Sequence, residues 1–106
     1  IDLCPVGALT NKPYRYSARA WELQQRDGIA PHDALGANVH FHVKGPVVKR
    51  VVPKENDDVN GTWLSDRDRY SYQGMNSDAR LTSPRIKRDG RWADCDWETA
   101  LDAAAA

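Results

Sequence analysis

Asn38-Val39-His40-Phe41-His42-Val43-Lys44-Gly45-Pro46-Val47-Val48-Lys49-Arg50-Val51-Val52-Pro53 is the stretch on which the fold turns. Val39, Phe41 and Val43 alternate with His40 and His42, the period of two that gives a strand one apolar and one polar face. Lys44-Gly45-Pro46 supplies turn chemistry and Val47 to Pro53 brings the chain back, so an antiparallel hairpin is the economical reading.

On the N-terminal side, residues 19–26 (Arg-Ala-Trp-Glu-Leu-Gln-Gln-Arg) read as another strand with Trp21 and Leu23 on one face. Asp27-Gly28 punctuates it, and Ile29 to Ala37 carries the Pro and Gly of a loop. On the C-terminal side, residues 54–62 form a polar loop, and Ser65 or Asp66 caps a short helix reaching about Gln73 and ended by Gly74. Arg88-Asp89-Gly90 turns a second hairpin, and Asp96 caps a helix starting at Trp97, with Glu98 in its positive first turn. The expected fold class is α+β, built on a small antiparallel sheet.

At 106 residues the chain is long enough for one modest domain or pieces of two. Four tryptophans, four tyrosines and Phe41 mark it as globular rather than disordered. Zero net charge argues against a dedicated nucleic-acid binder. The charge is uneven, however: residues 1–54 carry eight Lys/Arg and four Asp/Glu, residues 55–106 seven and eleven, a pattern of two solvated surfaces. No run approaches the ~18 apolar residues of a membrane span. Ile1 in place of methionine, and a helical pattern that stops uncapped at Ala106, lead us to expect an internal piece of a longer protein without a signal peptide.

Cys4, inside Ile1-Asp2-Leu3-Cys4-Pro5-Val6-Gly7-Ala8-Leu9-Thr10, is the leading candidate for chemistry. A cysteine followed by proline and small apolar residues closes many iron-sulfur ligand sets, although a small buried hydrophobe is the competing account of one cysteine. Cys95, the only other cysteine, lies between Asp94 and Asp96, whose charges make it a poor nucleophile. Two cysteines so far apart form no disulfide framework, and an iron-ligating thiolate needs a reducing compartment. His40 and His42 have a spacing that can place two imidazoles on one metal, but an exposed strand face explains them better. Glu55, Asp57 and Asp58 lack the spacing of a calcium loop. Asn60-Gly61-Thr62 matches a glycosylation acceptor, yet Asn-Gly is also a common turn pair, and inside a reducing compartment the match carries no meaning.

Asp2-Leu3-Cys4-Pro5-Val6-Gly7-Ala8-Leu9-Thr10-Asn11-Lys12-Pro13-Tyr14 closely resembles the segment closing a tetranuclear iron-sulfur site in the large iron-sulfur subunit family of NADH-quinone oxidoreductase, respiratory complex I. Ala18-Arg19-Ala20-Trp21-Glu22-Leu23, Leu35-Gly36-Ala37-Asn38, Val51-Val52-Pro53, Trp63-Leu64-Ser65-Asp66-Arg67-Asp68-Arg69-Tyr70 and Leu81-Thr82-Ser83-Pro84 resemble successive landmarks of that family. The resemblance implies three pieces: 1–17 as the end of a ferredoxin-like iron-sulfur domain, 18–75 as a small β domain shared with molybdopterin oxidoreductases, and 76–106 as the start of their α/β domain. It implies that Cys4 is one thiolate of a [4Fe-4S] cluster, the other ligands lying outside this chain. It implies an electron-relay role from NADH towards quinone in a proton-pumping complex. The implied partners are other complex I subunits, among them the flavin-bearing NADH-oxidising one. The implied location is the peripheral arm, on the cytoplasmic side of a bacterial inner membrane or on the mitochondrial matrix side, without direct membrane insertion.

Molybdopterin oxidoreductases carry C-x2-C-x3-C-x27-C in the β domain, and that pattern falls here on Ala30, Asp33, Ala37 and Ser65. Alanines cannot ligate iron, so the resemblance implies a sheet domain without its own cluster and no molybdopterin. The alternatives are a non-redox docking scaffold within the complex, or a fragment of a related formate dehydrogenase-like molybdopterin oxidoreductase.

Overall fold

The computed structural model describes residues 1–106, which divide into two compact units, Ile1–Asn76 and Ser77–Ala106. The first holds a three-stranded antiparallel sheet in the order β1 (Gln24–Ile29), β2 (Asn38–Lys44), β3 (Val47–Pro53), followed by the short helix α1 (Asp66–Tyr70). The second is a hairpin of β4 (Arg85–Arg88) and β5 (Arg91–Asp94) followed by α2 (Trp97–Ala105).

The hairpin expected at residues 38–53 is β2 and β3, turned at Gly45 with φ +59°. Val39 and Val51 are fully buried, and with Ala30, Ala37 and Tyr72 they form the core, against which Phe41, Val48 and Leu64 pack. Strict alternation cannot turn both Val48 and Val51 inward, since they lie three residues apart. A bulge resolves the conflict: His42 pairs with Arg50 while Val43 pairs with Val48, so Lys49 is the extra residue.

Two expectations fail around β1. Residues 20–22 form a single 3-10 turn and the strand begins only at Gln24, which leaves Trp21 82% exposed. Arg19 donates its backbone N–H to the Glu22 carboxylate at 2.8 Å, and this local bond turns the chain where alternation suggested extension. Gly28 does not break the strand. It sits inside β1 opposite Val39, and the Phe41 ring occupies the place a Cβ would fill.

Helix α1 is also shorter than expected. Ser65 caps it, accepting the Asp68 N–H at 3.1 Å, but after Tyr70 the chain tightens into a 3-10 helix over Ser71–Asn76. This tightening carries Tyr72 into the core, edge-on to Phe41 with centroids 5.1 Å apart. In the second unit Asp89 and Gly90 both have positive φ, as a tight hairpin turn demands. Asp96 caps α2, accepting the Thr99 N–H at 2.7 Å. No helix is long and apolar enough to cross a membrane.

Candidate cluster-ligand site

The Cys4 segment is a loop with little packing of its own, Leu3, Val6 and Leu9 all being exposed. The Cys4 N–H donates to the Ile1 carbonyl at 3.3 Å, closing a four-residue turn, and Gly7 takes φ +68° to bend the chain around the sulfur. The backbone amide of Leu9 above all, then, against the opposing effect of burial, those of Val6, Ala8 and Gly7, hold the Cys4 thiol below its ordinary range. Backbone dipoles that favour the thiolate over the thiol suit a metal-bound sulfur, because they stabilise its negative charge. The donor chemistry at Cys4 therefore fits a cluster ligand.

Two anchors hold this loop. At one end the Arg69 guanidinium grips Asp2, Nη2 to Oδ2 at 2.6 Å and Nη1 to Oδ1 at 3.5 Å. At the other, buried Asn11 accepts the Tyr14 N–H on both its side chain and its carbonyl, and the Arg15 N–H on that carbonyl.

Ala30, Asp33, Ala37 and Ser65 are drawn together around a different centre. Ala30 and Ala37 are core residues, joined by an N–H to carbonyl bond of 2.8 Å. Asp33 Oδ1 accepts the N–H groups of Leu35 and Gly36, both at 3.0 Å. Ser65 Oγ donates to Asp68 Oδ2 at 2.6 Å, and Asp68, fully buried, also meets the carboxyl of Asp33. Burial above all, and then Asp33, pushes the Asp68 carboxyl up; the hydrogen bond from Asp68, supported by the amides of Gly36, Leu35 and Ala37, holds Asp33 down. Asp68 Oδ1 has no hydrogen-bond partner, so burial and the neighbouring Asp33 carboxyl disfavour the charged form of Asp68. The set has no thiolate and two methyl groups, and does not fit an iron-sulfur cluster. Asp68 stands outside the residues that the sequence marks as candidates, although Ser65-x-x-Asp68 is a helix-capping spacing that points to it.

Residues 23–73 match the family model described as NADH-ubiquinone oxidoreductase NDSU1/NuoG-like, 4Fe-4S domain. The chain is 46% identical over 102 residues to the NADH-ubiquinone oxidoreductase 75 kDa subunit of Reclinomonas americana, covering 96% of this chain and 15% of that protein. The chain belongs to the NuoG-like family of NADH-quinone oxidoreductase subunits. The mitochondrial NADH-ubiquinone oxidoreductase 78 kDa subunit of Candida albicans is similar at 45% over 106 residues, 100% of this chain and 15% of its own length. The mitochondrial NADH dehydrogenase [ubiquinone] iron-sulfur protein 1 of Solanum tuberosum is likewise 45% identical over 106 residues, 99% of this chain and 14% of the relative. The chain thus spans about 15% of the length of the curated relatives it matches.

In this NuoG-like family member the window matched by the 4Fe-4S domain model contains no cysteine, since Cys4 and Cys95 both fall outside it. The remaining candidates have structural partners. His40 Nδ1 meets Asp27 at 2.6 Å, with Lys54 on the other oxygen of that carboxylate at 2.8 Å. His42 bonds Gln25 at 3.2 Å and accepts from Arg50 Nε at 2.8 Å. Burial first, then Arg50 and His40, pushes the His42 pKa down, so it accepts as a neutral ring. Glu55, Asp57 and Asp58 lie exposed in the loop after β3, and Cys95, half-buried, gives its backbone N–H to the Pro84 carbonyl at 3.0 Å. Asn60 is more than a turn residue. It is buried, accepts the Asn38 N–H at 2.9 Å, and aims its amide at the carbonyls of Lys54 and Trp63, both 3.2 Å away.

Proposed function

We propose that this chain supplies one thiolate, Cys4, to a [4Fe-4S] cluster in the electron-relay subunit of a proton-pumping NADH-quinone oxidoreductase. The observation that carries this reading is Cys4 itself, followed by Pro5 and the small residues Val6, Gly7 and Ala8, in a chain 46% identical to an NADH-ubiquinone oxidoreductase 75 kDa subunit. The cluster, when bound, takes up and passes on single electrons arriving from NADH through the flavin-bearing subunit on their way to quinone. Cys4 donates the sulfur lone pair, the amides of Leu9, Val6, Ala8 and Gly7 stabilise charge on that sulfur, and Pro5 restricts the loop that presents it.

On this reading residues 1–17 end a ferredoxin-like domain, 18–75 form the small β domain and 76–106 begin an α/β domain. The β domain is a scaffold without its own cluster, supported by the alanines at positions 30 and 37, and no molybdopterin is bound. The other cluster ligands come from outside this chain, the partners are further complex I subunits, and the place is the peripheral arm of the complex. The exposed Trp21 and Trp63 support a docking role for the β domain alongside the relay. Cys4→Ala in the assembled complex is expected to abolish or alter one [4Fe-4S] EPR signal while the other cluster signals persist. A full set of unaltered signals refutes the assignment.

A further inference from the structure

The β domain of this chain offers no iron ligands of its own, yet one of its side chains reaches the Cys4 loop. Arg69 lies on α1 with its side chain 8% exposed, and its guanidinium touches three acceptors: both Asp2 carboxylate oxygens and, at 3.3 Å, the carbonyl of Val51. Val51 is fully buried at the centre of β3, and α1 is itself fixed by the Ser65 cap and by Asp68. One end of the contact is therefore rigid core. The other end is Asp2, the second residue of the turn closed by the Cys4 N–H on the Ile1 carbonyl.

Within residues 1–10 that turn bond is the backbone bond that shapes the chain, and Arg69 makes the hydrogen bonds that tie the segment to the rest. The apolar side chains of Leu3, Val6 and Leu9 face outward, so hydrophobic burial within the chain does not replace the tie. A two-pronged Arg–carboxylate contact fixes orientation as well as distance, which a single ammonium does not.

Resting on the reading of Cys4 as a cluster ligand, we propose that Arg69 is a positioning residue for that cluster, holding the Cys4 turn on the β domain through Asp2. This gives the β domain a task in electron transfer without a metal of its own: it sets the orientation of a ligand 65 residues earlier in the chain.

The test is made in the assembled complex, on the EPR signal that Cys4→Ala removes, by comparing Asp2→Asn, Arg69→Gln, the double variant and Arg69→Lys. Persistence of the other cluster signals reports assembly. If Arg69 positions the turn, both single changes loosen the same loop, so they broaden the signal and shift its midpoint potential in the same direction. The double variant then matches either single one. Arg69→Lys, which keeps the charge, broadens the signal too. If the pair acts only as charges near the cluster, Asp2→Asn and Arg69→Gln shift the potential in opposite directions, the double cancels and Arg69→Lys matches wild type. That pattern, or four unshifted signals, overturns the proposal while leaving Cys4 a ligand. Should Arg69→Gln fail to assemble, Asp2→Asn and Arg69→Lys decide between the same two patterns. An EPR spectrum untouched by Cys4→Ala overturns the ligand assignment and the proposal with it.

Discussion

Replacing Asn60 by alanine should remove a large part of the stability of the first unit. The side chain has one acceptor and two protons to give. Its Oδ1 takes the Asn38 N–H at 2.9 Å, and its amide faces the carbonyls of Lys54 and Trp63 at 3.2 Å and those of Asn38 and Gly61 at 3.4 Å. Two protons serve those carbonyls, so alanine deletes about three hydrogen bonds at roughly 1 kcal/mol each. Asn60 is 6% exposed, so water reaches the stranded Asn38 N–H poorly. A total loss of about 2–4 kcal/mol follows, the upper end applying if the Asn38 N–H finds no new partner. A domain of this size has a stability of about 0.05–0.15 kcal/mol per residue, so the change removes a substantial fraction of it. Urea denaturation of this chain followed by tryptophan fluorescence gives the value directly, with Asp57→Ala, an exposed position in the same loop, as the reference. Asn60→Asp keeps the acceptor, loses the donors and aims a carboxylate at carbonyls, so it should be worse than alanine at neutral pH and recover as the carboxyl protonates. A loss for Asn60→Ala within about 0.5 kcal/mol of the reference, the range of ordinary surface changes, would refute the reasoning.

Gly28→Ala drives a methyl group into the Phe41 ring, which is held in turn by Tyr72, and should cost about 1–3 kcal/mol in the same urea experiment. Gly74→Ala, with open space around it, serves as the control. Asp68→Asn keeps an acceptor for Ser65 and gains a donor for Asp33 without ionising. Because the wild-type Asp68 pKa is raised on folding, its contribution is fully present below the unfolded-state value and is lost as pH rises through the folded one. The variant should therefore gain stability relative to wild type as pH rises from acid towards neutral, and a pH-independent difference in melting temperature would count against the raised carboxyl. In the cluster-free chain, Cys4 should be alkylated by iodoacetamide with a pH midpoint below the ~8.5 of a free thiol, as peptide mass mapping can resolve.

Much of the architecture could be read from local pattern. The alternation at Val39, Phe41 and Val43 declares a half-buried strand because side chains on a pleated backbone repeat every two residues. Asp89-Gly90 and Asp96 declare a turn and a cap because those conformations favour particular residues. The errors share a cause. Residues 20–22 alternate well enough for a strand, but one bond from Arg19 to Glu22 outweighs the pattern. Gly28 has the composition of a break, yet a neighbouring strand lends it Phe41 in place of a side chain.

The candidate site divides along the same line. Cys4, its following proline and its chain of small residues were visible in the sequence, as was the lack of thiolates at positions 30, 33, 37 and 65. Both depend only on which atoms a residue carries. That Asp33 and Ser65 meet through Asp68, that Asn60 closes three backbone segments, and that Arg69 on α1 holds Asp2 of the N-terminal loop were decided by tertiary structure. A polar group becomes a determinant of structure when burial removes water as its alternative partner, and burial belongs to the packed chain rather than to any stretch of it.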